Sequence, residues 1–252
     1  MHRTLAVRRI AWTVLLLLGW SGCHAQSAVQ EVPFETALAS MPPEQLGDLL
    51  MNQHRYVEAT YVYSRGPMNA VLWNKAGIAW HHLLAIGKAR SNYQRALQLD
   101  PNYADALNNL GATYFAERKY KAAIHYYRRA LALAPRSAVY LVNLGTAYFA
   151  EGKTARGAEA YRKAFALDVE VFDLKNQQIV QGGTADRERA SIDFCIAELR
   201  AASDHPEAAL PWLRKALNEG FRDQRRLTES EAFAALRDTP EFADLLAEAH
   251  PR

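Results

Sequence analysis

The chain has 252 residues, half of them hydrophobic, with 30 basic and 27 acidic side chains and two cysteines. This length suits one elongated domain, and the near-balanced charge excludes the concentrated basic face that nucleic acid requires. Two cysteines exclude a stapled framework, and Cys195, set among Ile192, Phe194, Ile196 and Ala197, reads as a buried, inert thiol.

Residues 1–25 read as a secretory signal peptide. Arg3, Arg8 and Arg9 precede an apolar run from Ile10 to Trp20, which exits at Ser21-Gly22-Cys23-His24-Ala25 and is too short for a membrane span. The exit has two readings. Ser21-Gly22-Cys23 resembles a bacterial lipobox, which implies lipidation of Cys23, although Trp20 stands where that motif prefers Leu. Alternatively a signal peptidase cuts after Ala25. Both readings make the protein exported, either periplasmic or associated with the outer membrane. Without the three N-terminal arginines, bases and acids are equal in number, so the sequence pI of 8.8 overstates the basicity.

Residues 26–40 form a leader without a clear period. A helix is expected from Met41-Pro42-Pro43 through Leu46, Leu49 and Leu50. A shorter one carries Tyr56, Ala59, Thr60 and Tyr63 and stops at Gly66-Pro67. From residue 70 a pattern recurs every 34 residues. Trp73, Gly77, Trp80, Ala89, Tyr93, Ala96 and Pro101 are matched by Leu107, Gly111, Tyr114, Ala123, Tyr127, Ala130 and Pro135. Leu141, Gly145, Tyr148, Gly157, Tyr161, Ala164 and Val169 repeat the series. Each 34-residue unit reads as two antiparallel helices crossing at the small residues, and a single hairpin cannot bury its own apolar face. Gly157, in an alanine slot, is expected to loosen its helix by up to ~1 kcal/mol.

The stretch 104–137 resembles a tetratricopeptide repeat along its whole length. On that resemblance, repeats fall at about 40–69, 70–103, 104–137 and 138–169, the first acting as an N-terminal cap. An irregular insertion follows at 170–185, where Val169–Phe172 alternates like a short extended piece. A further similar helix pair spans 186–221, and capping helices occupy 222–252. The fold implied is all-α, a right-handed superhelical solenoid of about five helix pairs.

The resemblance also implies that the first helix of each repeat lines a concave groove for a peptide or protein segment. The residues expected there are Asn74, Lys75, Asn108, Asn109, Phe115, Asn143, Thr146 and Phe149. Asparagine offers both donor and acceptor, which suits reading an extended backbone, and Phe115 and Phe149 would add apolar contacts. The family's basic clamp for a C-terminal carboxylate is not matched, because Val139 and Asn143 stand in its place. No nucleophile elbow, phosphate-cradling loop, Cys-x-x-Cys or His-Glu-x-x-His occurs, so neither catalysis, metal nor cofactor is expected. The sequence thus reads as a non-catalytic adaptor of the bacterial envelope, or as a lipid-anchored structural component of an outer-membrane assembly or secretion machine.

Overall fold

The computed structural model describes residues 13–15, 31–33, 36, 40–67, 69–172 and 186–248. Most of the expected signal peptide, including Cys23, and most of the 170–185 insertion lie outside these. Thr13–Leu15 (β1) pairs antiparallel with Glu31–Pro33 (β2), Val14 opposite Val32. All other regular structure among the described residues is helical. The chain forms two compact units, Met1–Asn92 and Tyr93–Arg252.

The first unit contains α1 (Pro43–Asn52), α2 (Tyr56–Tyr63), α3 (Ala70–His82) and the start of α4 (Ile86–Leu99), within which the division falls. Pro43 opens α1, where a missing N–H costs least, and the Asn69 side chain caps α3 by accepting from the Leu72 N–H at 2.8 Å. Leu46, Leu50, Ala59, Val62, Leu72, Ala76 and Ala79 form its core. Helix α2 has 8 residues against 14 in α4, so the first hairpin is shortened at the end of its second helix.

The second unit holds α5 (Ala104–Ala116), α6 (Tyr120–Leu133), α7 (Ala138–Ala150) and α8 (Thr154–Leu167), two hairpins stacked as a solenoid. One device closes the first four hairpins. His54, Leu84, Arg118 and Gly152 sit in equivalent turns with φ of 57°, 57°, 59° and 79°. The next N–H then reaches back to the helix end, as in Lys119 N to Tyr114 O at 2.9 Å and Lys153 N to Tyr148 O at 2.8 Å. Gly152 alone meets this left-handed geometry without the strain of a Cβ.

The helix crossings also share one rule. Gly47 lies beneath Tyr63, Gly111 beneath Tyr127 and Gly145 beneath Tyr161, and a Cβ on any of them would overlap the tyrosine ring. The small slot exists so that a fully packed aromatic can lie across it. These tyrosines are buried, as are Tyr93 and Tyr140, whereas Tyr114 and Tyr148 are only half-buried. Gly157 extends the rule: Phe149 Cδ2 lies 2.6 Å from where its Cβ would be. The missing methyl admits a ring.

Beyond α8, Val169–Phe172 is a 3₁₀ turn and not an extended piece. The Asp168 carboxylate accepts from the Glu170 N–H at 2.9 Å and fixes the turn. Phe172 is thereby carried onto Tyr161, ring centroids 4.7 Å apart. Helix α9 (Asp186–Ala201) docks on α7 and α8, and α10 (Leu210–Asn218), led in by the 3₁₀ turn Pro206–Ala209, packs on α9. Three further elements close the core: α11 (Gln224–Glu229), the 3₁₀ turn Glu231–Leu236 and α12 (Pro240–Glu248). Phe194 stacks on Phe221 at 3.9 Å, and Phe233 and Phe242 continue the aromatic row. Glu198 ties the cap down, accepting from Arg226 at 2.5 Å and from the Ser230 hydroxyl at 2.9 Å.

One buried carboxyl gives this unit a pH dependence. Asp193 on α9 is 3% exposed and faces Lys215 of α10 at 3.0 Å, with Glu219 nearby. Burial raises its pKa from the usual 3.8 to about 7, against the opposing pull of the Lys215 ammonium. The folded pKa thus exceeds the unfolded one. Between the two values the native state holds a proton that the unfolded chain has released, so stability falls as pH rises through this window. The urea midpoint of the wild-type protein is expected to drop between pH 5 and pH 8 relative to that of Asp193→Asn. Parallel profiles for the two proteins would contradict this assignment.

Candidate functional site

The first helices of the hairpins carry a ladder of polar contacts on one face. In the first unit, Lys75 of α3 places its Nζ 2.9 Å from Glu44 Oε1 and 2.5 Å from Asp48 Oδ2, both on α1. The Tyr63 hydroxyl donates to the other Asp48 oxygen at 2.7 Å. Partial burial works against the Lys75 ammonium, but Asp48 and Glu44 outweigh it and its pKa is raised. Burial, followed by the bond to Asp48, pushes the Tyr63 phenol up, so it stays a donor. Above this cluster is an open cavity of about 390 Å³, lined by Asp48, Met51, Asn52, Tyr63, Lys75 and Ile78.

The second unit repeats the step with neutral groups. Asn143 Nδ2 of α7 donates to Asn108 Oδ1 of α5 at 2.9 Å, and Asn108 in turn approaches Asn109 at 3.4 Å. Lys75 and Asn143 occupy the same slot of the repeat. Each reaches into the preceding repeat, to Glu44 and Asn108, which also share a slot. Beside this step the Tyr140 hydroxyl donates to Asp105.

The eight residues expected to line a groove divide between the units, Asn74 and Lys75 in the first and the others in the second. Lys75, Asn109 and Asn143 are half-buried on the first-helix face. Asn74 and Asn108 are buried. Thr146 is buried too, bonded to the Val142 carbonyl at 2.9 Å and to the Tyr161 hydroxyl at 2.8 Å. The structure places Phe115 and Phe149 in the core and not on the groove surface, at 8% and 2% exposure. Phe149 turns into the space left by Gly157, and Phe115 packs on Tyr120 with centroids 5.4 Å apart. Apolar surface on a helix flank is worth more against the neighbouring helix than in water.

Sequence reasoning missed Glu44, Asp48 and Met51. Their slots match those of later repeats only after an offset of 30 residues, because the first hairpin is short; Asp48 then aligns with Ile78, Ala112 and Thr146. That offset, visible in Gly47 against Gly77 and Tyr63 against Tyr93, was the available signal.

The cluster's chemistry is that of a binding surface, with one charge-assisted network and an apolar wall from Met51 and Ile78. Cys195 is buried and its thiol is pushed up to about 12, so it is not a nucleophile. Among the described residues, no group of three or more His, Cys, Asp and Glu is placed to hold a metal. No helix among them is long and apolar enough to cross a membrane.

Hairpins stacked in register, with a polar ladder along their first helices, define a repeat scaffold. Residues 104–137 and 138–168 each match a tetratricopeptide repeat model, and residues 86–117 match a further TPR repeat model. These segments are tetratricopeptide repeats, and the fold is an all-α solenoid of that type. Such repeats indicate protein–protein interaction. No curated protein matches the chain. Among solved structures, the chain is similar to a crystal structure of MamA, with 22% identity, 69% of this chain and 93% of that one covered, and a TM-score of 0.48. It is also similar to MamA 41-end from Desulfovibrio magneticus RS-1, with 20% identity, 70% and 92% covered, and a TM-score of 0.49.

Proposed function

We propose that the protein is a non-catalytic adaptor of the bacterial cell envelope that holds a peptide or protein segment on its first-helix face. The observation that carries this reading is the cavity bounded by Asp48, Tyr63, Lys75, Met51 and Ile78, which joins a fixed charge pair to an apolar wall. A partner segment supplying one polar and one apolar side chain fits it, and the preorganised Lys75 adds little ordering cost on binding. The envelope assignment rests on Arg3, Arg8, Arg9 and the apolar run that follows them. Photo-crosslinking in intact cells tests the site: a crosslinker at Ile78 is expected to trap a discrete partner band that one at exposed Leu84 does not. Identical band patterns from the two positions would count against the cavity.

The second reading, a lipid-anchored component of an outer-membrane assembly or secretion machine, is favoured by Ser21-Gly22-Cys23. It requires radiolabelled fatty acid to appear on the wild-type protein and not on Cys23→Ser.

A further inference from the structure

The second helices of the two stacked hairpins carry equivalent basic residues with unequal compensation. On α8, Glu159 lies 2.5 Å from Arg162 and 3.2 Å from Lys163, and holds both. One repeat earlier, on α6, the corresponding bases are Arg128 and Arg129, and the slot of Glu159 is filled by His125. Lys121 extends the same side of the helix by one further turn. Among the described residues no carboxylate lies within ion-pair distance of Lys121, Arg128 or Arg129. These exposed groups line an open cavity of about 450 Å³ together with buried Ile124 and exposed Ala132. A repeat that swaps its acid for an imidazole leaves a basic groove wanting an external anion.

The chain carries the complement. Helix α12 buries Phe242 and Leu245 against α10 and exposes Glu241 and Asp244 on its other side. Glu231 and Asp238, also exposed, extend this acidic face, and none of the four has an ion-pair partner among the described residues. Arg237, the one base between Glu231 and Glu248, is turned away onto the Ser230 carbonyl at 3.0 Å. In one copy α12 is held on α10 and the α6 groove has no acid beside it, so the pairing needs two molecules.

We propose that α12 of one copy docks in the basic groove along α6 of the next, a heterologous head-to-tail contact separate from the first-helix site. Because the two patches differ, each copy keeps one free acidic and one free basic face, and the association propagates into short chains. A single helix lying on a single helix is a small, polar contact, so the interaction is weak and strongly salt-dependent.

Sedimentation velocity of the purified chain tests this. Wild type is expected to form concentration-dependent oligomers at low salt that dissociate at high salt, with affinity falling at least about tenfold. Lys121→Glu/Arg128→Glu and Glu241→Lys/Asp244→Lys should each be monomeric with unchanged melting temperatures, since all four sites are exposed. Mixed together, the two variants should associate with equal stoichiometry into alternating chains, because each unmodified face meets its complement and the two reversed faces match as well, and the chain carrying all four reversals should associate again. The proposal is overturned by a wild type that stays monomeric at low salt, by variants that associate as wild type does, or by a mixture in which the two variants do not associate. It is likewise overturned if Lys121 and Arg128 are needed for binding anionic phospholipid vesicles while the protein remains a monomer.

Discussion

Replacing Tyr161 with alanine is expected to lower the stability of the second unit by about 3–5 kcal/mol, the usual cost of emptying a fully buried aromatic site. Tyr161 is 0% exposed. Its ring lies over Gly145, meets Phe149 at 5.3 Å and Phe172 at 4.7 Å, and its hydroxyl bonds Thr146 at 2.8 Å. Truncation therefore opens a void between α7, α8 and the 3₁₀ turn at once, and leaves the Thr146 hydroxyl with one partner fewer. Phe149 on α7 and Phe172 on the 3₁₀ turn are held in the same packed cluster by their own elements, so the gap does not close by collapse. In a protein whose whole stability is about 5–15 kcal/mol, this is a large share. Thermal denaturation should show a drop of roughly 10 °C or more. Tyr161→Phe, which removes the hydroxyl alone, should cost only about 1 kcal/mol. Equal losses for the two variants would refute the packing account.

Gly145→Ala is expected to destabilise the same unit by about 1–3 kcal/mol, although alanine is the better helix former by up to ~1 kcal/mol. The sign decides between the two effects. A Cβ at this position would overlap Cδ1 of Tyr161 and lie 3.1 Å from the Gly157 carbonyl oxygen. The ring cannot retreat, because Phe149 and Phe172 hold its other sides. Gly87, on the exposed face of α4, has nothing within 4 Å of its Cβ position, so Gly87→Ala should gain stability or leave it unchanged. In a Tyr161→Ala background the penalty at Gly145 should vanish, giving a positive coupling energy in a double-mutant cycle. Urea denaturation of the four proteins measures it, and additive losses would mean that glycine and tyrosine do not share the crossing.

The 34-residue period was legible because it is written twice, once in small residues and once in large ones. Gly111 and Tyr127, or Gly145 and Tyr161, keep a fixed separation that only a hairpin crossing explains. What could not be read was the partner of each side chain across repeats. Lys75 looks like an isolated groove cation until Glu44 and Asp48 are brought beside it by a hairpin one turn short. Asn108 and Asn143 look like open hydrogen-bonding groups, yet one donates to the other. Phe149 reads as surface from its own helix alone, and only the space above Gly157 turns it inward. Tyr114 and Tyr148 hold the motif's most recognisable slot, while Tyr127 and Tyr161 fill the centre of the core. Periodicity reports which face a residue occupies; it does not report what the next hairpin places against that face.

The turn after α8 decides where the array may be edited. Phe172 delivers its ring to Tyr161 within four residues of the helix end, and α9 then docks directly on α7 and α8. The last hairpin's apolar face is therefore already covered at that point. A further repeat spliced in after α8 would have to displace both groups, whereas one spliced in before α7 would meet a hairpin face of its own kind.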